Sequence, residues 1–169
     1  MIGIFDGFSW IRCEGRGSFL TSPALKACID ARIGAGERCV VVDLAACSGM
    51  DSTFMGTLAG ESNQLKKRGG KLQVAEPGEK NHHSLVDLGL HYLFEVDPPE
   101  AVWRGHEEAV RSHLEPFTDV KALGQQQRAE HVLQAHKVLS AANEENARKF
   151  SGVISLLESE VTPKDEPKE

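Results

Sequence analysis

The sequence predicts an α/β fold, a mixed four- to five-stranded sheet with helices packed on it, followed by a C-terminal helical hairpin. Three observations carry this reading. Asp6-Gly7 stands between two short runs of alternating apolar residues. Cys39-Val40-Val41-Val42-Asp43-Leu44 is a continuous run of strand formers. After Gly105 such short runs give way to long helical periodicity.

Ile2 and Ile4 alternate before Asp6-Gly7, and Phe8 and Trp10 alternate after it. Asp-Gly supplies the two positive φ angles of a type I′ turn, so strands near 2–5 and 8–13 are expected to pair. Residues 15–22 read as a loop. Thr21 or Ser22 then caps a helix opening with Pro23, which fits a first turn. Leu25, Cys28, Ile29 and Ile33 follow at helical spacing, and Gly34 to Gly36 end that helix. The run 39–44 calls for burial on both faces, at the centre of a sheet covered by helices or another layer. A loop, 45–50, leads to three candidate N-caps, Asp51, Ser52 and Thr53. The helix beyond them carries Met55, Leu58, Ala59, Ser62 and Leu65 on one stripe and stops at Gly69-Gly70. A strand over 71–75, a short helix over 80–87 and a last strand over 93–96 complete this part. Each later strand is reached through a helix, so the sheet is mixed.

Pro98, Pro99 and Gly105 mark a boundary, giving a first domain over 1–104 and a helical extension over 105–161. In the extension, Ala129, Val132, Leu133, His136 and Leu139 form one apolar stripe. Phe150, Val153, Ile154, Leu157 and Val161 form another, with Asn143 placed to cap the second helix. Each helix must bury its stripe, either on the first domain or in a dimer or partner surface; the pattern leaves both open. Residues 162–169, TPKDEPKE, read as a disordered tail.

The chain has 169 residues, 40% hydrophobic and 26% charged, with a net charge of -6. That balance disfavours a general nucleic-acid binder. No apolar run approaches the length of a membrane span, and the N-terminus lacks a signal-peptide layout, so the expected compartment is cytoplasmic. Cys13, Cys28, Cys39 and Cys47 make no CxxC pair, and His82-His83 lies in a polar stretch without a further ligand at metal spacing. No metal and no cofactor are expected. A P-loop, a G-x-S-x-G elbow and a glycine-rich dinucleotide turn are all missing. Asp43, at the end of a buried strand, is a candidate nucleophile or metal ligand, more simply read as a carboxylate satisfied by nearby backbone amides. Cys47, before a helix, is a candidate thiolate, more simply an inert thiol.

The informative stretch is Ser48-Gly-Met-Asp-Ser-Thr-Phe-Met-Gly-Thr-Leu58. A buried strand there delivers hydroxyls to a helix N-terminus beside an acid. A phosphate at that place gains from helix amides and dipole, and adds roughly two negative charges to the surface. By physics alone the same residues are an ordinary N-cap.

The run from Val40 to Leu58 resembles the core of the STAS family, which includes sulphate-transporter tails and bacterial anti-sigma-factor antagonists. The shared pattern is a strand ending in Asp-Leu, a short loop, then Asp-Ser-Ser/Thr-Gly-x-Gly-x-apolar. Over about residues 1–100 the opening hairpin, the Thr21-led helix, the Gly69-Gly70-Lys71 turn and Leu88-Gly89-Leu90 agree in order and spacing. The resemblance implies a non-enzymatic regulator in a partner-switching pathway. Ser52 would be the phosphorylation site, with Thr53 as the alternate hydroxyl. Ser18, Asp51, Ser52, Thr53 and Phe54 would form the partner-binding face. The implied partners are an anti-sigma factor that is also a serine kinase, and a phosphatase that reverses it. A homodimer through the C-terminal helices and a scaffold that is never phosphorylated are the other expectations. Phe54 replaces the family's usual glycine, either enlarging the docking surface or hindering a kinase, and Ser18 replaces a common acid. The switch requires the Ser52 hydroxyl to be open to solvent.

Overall fold

The structure, a computed structural model, describes residues 1–161; the tail expected at 162–169 lies outside the described residues. In chain order the elements are β1 (Ile2–Phe5), β2 (Phe8–Arg12), β3 (Gly15–Gly17), α1 (Ser22–Gly34), β4 (Cys39–Asp43), β5 (Cys47–Met50) and α2 (Ser52–Lys67). There follow β6 (Lys71–Ala75), α3 (Gly78–Asp87), a 3-10 turn (Leu90–Tyr92), β7 (Glu95–Val96), α4 (Glu107–Arg111), α5 (Gln125–Ala142) and α6 (Glu144–Val161). Five strands form a mixed sheet in the order β1-β2-β4-β6-β7. β1 and β2 are antiparallel, with Phe5 opposite Phe8, and the later neighbours are parallel. Gly7 alone takes a left-handed φ, 82°, in the first turn. Asp6 keeps an ordinary one, so the expected type I′ turn is not formed and glycine carries the reversal by itself.

β3 and β5 pair in a separate two-stranded parallel sheet. Both lie in segments expected to be loops. They are too short and glycine-rich to show an alternating pattern, and they form because Asp51 N donates to Gly17 O and Gly15 N to Ala46 O.

The valines of β4 are wholly buried, and they divide between two cores. Val40 and Val42 face one with Leu25, Ile29, Leu58 and Leu72. Val41 faces the other with Phe8, Trp10, Ala75, Trp103 and Val110. A sheet buried on both faces is thus what the unbroken apolar run reports. The second face is covered by chain from both sides of the expected boundary at 104, Trp103 before it and Val110 after it. Trp103 meets Trp10 edge-on at 5.2 Å and donates from Nε1 to Gln73 Oε1 at 2.7 Å, while Glu115 forms an antiparallel bridge with Ile2.

The hairpin of α5 and α6 forms as expected, with Asn143 Oδ1 accepting from Asn146 N at 2.8 Å. Its turn is fastened to the first domain, where the side-chain amides of Asn143 and Asn146 both donate to Leu88 O. α5 lies along α2, and Leu139 and Phe150 enter the first core. Packing on the first domain, one of the two burial modes left open by the apolar stripes, thus takes up Leu139 and Phe150, while Leu157 and Val161 at the far end of α6 stay partly exposed.

Candidate functional site

β5 delivers the chain to α2, whose N-cap is Asp51. One carboxylate oxygen accepts from Phe54 N at 2.8 Å and the other from Phe19 N at 2.8 Å. Asp51 therefore closes the first turn of α2 and also ties the 18–21 loop to it. In that loop Ser18 N donates to Thr21 Oγ1 at 2.9 Å and Leu20 N to Ser18 Oγ at 3.3 Å. Thr21 spends its hydroxyl here and makes no side-chain cap on α1. Ser18, Asp51 and Ser52 are thus gathered at one end of the domain, all half-buried.

Two other expected members of that face are inside. Phe54 is 1% exposed and belongs to the first core. Its ring fills the space where a side chain on Gly17 would stand, since a Cβ added there would lie 2.9 Å from it. It adds no docking surface, which corrects that expectation: an aromatic at this turn is driven inward by the apolar area it buries. Thr53 is 4% exposed and, with its helical turn, is covered, so its hydroxyl is not an alternate surface acceptor. The exposed apolar groups at this end are instead Phe19 and Leu20, 47% and 63% exposed. Two large apolar residues in the Gly-Ser-Phe-Leu-Thr-Ser loop, with no strand or helix pattern to place them inside, were the available signal.

Ser52 Oγ is engaged. It lies 3.0 Å from Nε2 of His136 on α5. Nδ1 of the same ring is 2.8 Å from Val132 O, which can only accept, so Nδ1 carries the proton. In the neutral ring Nε2 is then the acceptor, and Ser52 donates to it. His136 is itself buried and meets Phe150 edge-on at 5.4 Å. One turn along α2, Gly56 allows the α5 backbone to approach so closely that an added Cβ would stand 2.4 Å from Ala135 O. Further along, Val138 lies over Gly60. His131, also on α5, places Nε2 at 2.8 Å from Ser22 Oγ and 3.3 Å from Thr57 Oγ1. A cleft of about 460 Å³ runs between these helices, lined by Lys26, Thr57, Glu61 and His131 among others. Burial and the nearby Lys26 charge hold the His131 pKa below its usual value.

The remaining candidates are structural. Asp43 is satisfied mainly by side chains rather than by the expected backbone amides: it accepts from Trp10 Nε1 and from two nitrogens of Arg111, with Ala45 N the one amide. No lone pair is left aimed at a ligand. Cys47 is buried, its thiol directed to Gly49 O. Burial pushes the thiol of Cys13 up to about 12 and those of Cys28 and Cys39 up to about 11, so none is a ready nucleophile. His82 and His83 are exposed on α3, and His83 Nε2 lies 3.4 Å from Asp87. Among the described residues no helix is long and apolar enough to cross a membrane.

The model of the STAS domain family matches residues 2–103. Among solved structures the chain is similar to an anti-sigma factor antagonist from Mycobacterium paratuberculosis, with 26% identity and a TM-score of 0.54, over 66% of this chain and 92% of that one. It is similar also to TM1081 of Thermotoga maritima, at 18% identity and a TM-score of 0.56, over 66% and 93% of the two chains. The unphosphorylated and phosphorylated forms of the Bacillus antagonist SpoIIAA each align with 18% identity and a TM-score of 0.50, over 66% of this chain and 96% of theirs. No curated protein matches. The five-stranded sheet, the helices on it and the Asp51-capped α2 thus agree with a match over more than half of the sequence, and the chain belongs to the STAS domain family.

Proposed function

We propose that this STAS protein is a cytoplasmic anti-sigma-factor antagonist-like regulator, switched by phosphorylation of Ser52. It binds an anti-sigma factor with serine-kinase activity through the end of the domain that holds Ser18, Asp51 and Ser52. The observation that supports this most directly is the position of Ser52, the first residue of a 16-residue helix, with Asp51 fixed as its cap. A dianion on that hydroxyl is favoured by the helix dipole, which offsets its repulsion by Asp51. The added charge changes what docks while the cap, made by Asp51 rather than by Ser52, keeps the helix intact. The likeness to two forms of SpoIIAA, one of them phosphorylated, supports the same reading. The protein then performs no chemistry: the kinase supplies phosphate, and a phosphatase removes it.

A scaffold that is never phosphorylated is the second reading, favoured by the hydrogen bond that already occupies Ser52 Oγ. Incubation with an anti-sigma kinase and ATP, followed by peptide mass spectrometry, separates them. Phosphate on Ser52, abolished by Ser52→Ala, is expected of the switch; an unmodified 48–58 segment is expected of the scaffold.

A further inference from the structure

Ser52, Gly56 and Gly60 recur every fourth residue, so they share one face of α2. That face is occupied by the chain itself. α5 lays His136 on Ser52, Ala135 on Gly56 and Val138 on Gly60, and its His131 reaches Ser22 and Thr57. A phosphate on Ser52 would put phosphorus about 1.6 Å from Oγ along a path where Nε2 now sits at 3.0 Å, well inside contact distance. With the phosphoryl group along that direction the seated helix and a modified Ser52 exclude each other, and any other rotamer still breaks the hydrogen bond to His136.

We propose that the α5–α6 hairpin is a cis-acting cap that competes for the Ser52 face, so that a docking partner or kinase must displace it. The inference rests on reading that face as the docking surface. Residues 118–124, which follow Glu115 paired with Ile2 and Phe117 packed on the first core and lead into α5 without helix or strand, supply a tether on which the hairpin can lift while α4 stays on the sheet. A seated cap lowers the apparent affinity of any competitor by the fraction of molecules that are open. By linkage, a phosphate on Ser52 lowers the affinity of the cap by the same factor that the cap imposes on phosphorylation. The seating combines histidine–hydroxyl hydrogen bonds, a close approach at one glycine and two asparagine amides on one carbonyl with Leu139 and Phe150 packed in the first core, so a lifted hairpin uncovers those two side chains.

The test uses the full chain carrying Gly60→Cys, a position where a side chain meets only Val138 of α5, at 3.6 Å. Iodoacetamide is the probe, and labelling is resolved by peptide mass spectrometry. Adding Gly56→Ala drives a methyl into Ala135 O while favouring α2 itself, because alanine is the better helix former. Labelling of the introduced thiol is expected to accelerate by about tenfold or more as the closed fraction falls, with the buried Cys28 and Cys47 as slow as before. An unchanged rate overturns the cap. If Cys28 and Cys47 accelerate too, the domain itself has opened, and His136→Ala in place of Gly56→Ala decides between the same two outcomes. The proposed switch fails separately: a kinase that leaves Ser52 unmodified even in the opened variant refutes the switch and leaves the cap standing.

Discussion

Arg111 holds the carboxylate of Asp43 through two hydrogen bonds, Nε to Oδ2 at 2.9 Å and Nη2 to Oδ1 at 3.1 Å. Asp43 ends the central strand and is fully buried, whereas Arg111 belongs to α4, beyond the last strand of the sheet. The pair therefore fastens the segment after residue 104 to the middle of the fold. Arg111→Ala would strand a buried charge, an expected loss of about 3–5 kcal/mol in urea unfolding. Asp43→Asn combined with Arg111→Met should recover part of it. Unaltered stability of Arg111→Ala would show that Trp10 and Ala45 suffice for Asp43.

Phe54 supplies a second stability test. Its place in the first core, against Gly17, means that restoring the glycine common in the family costs the buried ring and adds helix-interior glycine. Phe54→Gly is expected to destabilise by about 4 kcal/mol or more, as for other buried aromatic truncations. A surface aromatic would change stability by about 0.5 kcal/mol at most, so thermal or chemical denaturation distinguishes the two placements directly.

What was legible in the sequence was local or continuous. Val40 to Val42 report two-sided burial because every residue of the run is apolar, and Asp51 reports a helix start because capping is settled within one turn. The cover of the second face was not legible: Trp103 and Val110 follow two prolines, and a helix of five residues has no period to read. The orientation of Phe54 was hidden for a related reason, since successive residues of a first turn point about 100° apart and only the packed domain decides which of them is inside. His136 stands in an apolar stripe with Val132, Leu133 and Leu139, where a histidine reads as core. Its partner Ser52 lies 84 residues away, and nothing in the spacing joins them.

The cleft beside that contact predicts a two-sided pH dependence. Burial pushes the Glu61 carboxyl from 4.5 up to about 7, against the pull of Lys26 Nζ at 2.9 Å and with some repulsion from Asp30. With the folded pKa raised, its contribution to stability is complete below 4.5 and is lost as pH rises through about 7. His131, facing Ser22, Thr57 and Lys26, is displaced downward from 6.5, so its contribution is complete above 6.5 and declines as pH falls below it. Thermal melts over about pH 5 to 8 should show stability falling toward both ends, each limb no steeper than about 1.4 kcal/mol per pH unit for one proton. Glu61→Gln should flatten the alkaline limb and His131→Gln the acidic one. An alkaline limb that survives Glu61→Gln would assign it to another group.

Charge at Ser52 gives the sharpest test of the docking face. Ser52→Asp places a carboxylate beside Asp51, whose two oxygens are already committed to Phe54 N and Phe19 N and so cannot turn away. It is expected to weaken binding of the proposed anti-sigma partner by roughly 1–2 kcal/mol or more, as like charge at an interface does. Ser52→Ala keeps the face neutral and also removes the hydrogen bond to His136, so it should bind at least as tightly as the unmodified chain. Because Ser52→Asp disturbs the same contact, both variants are compared again with Gly56→Ala, which lifts α5 in each and leaves the charge as the difference. Calorimetric titration that gave Ser52→Asp and Ser52→Ala equal affinity in that background would remove Ser52 from the interface.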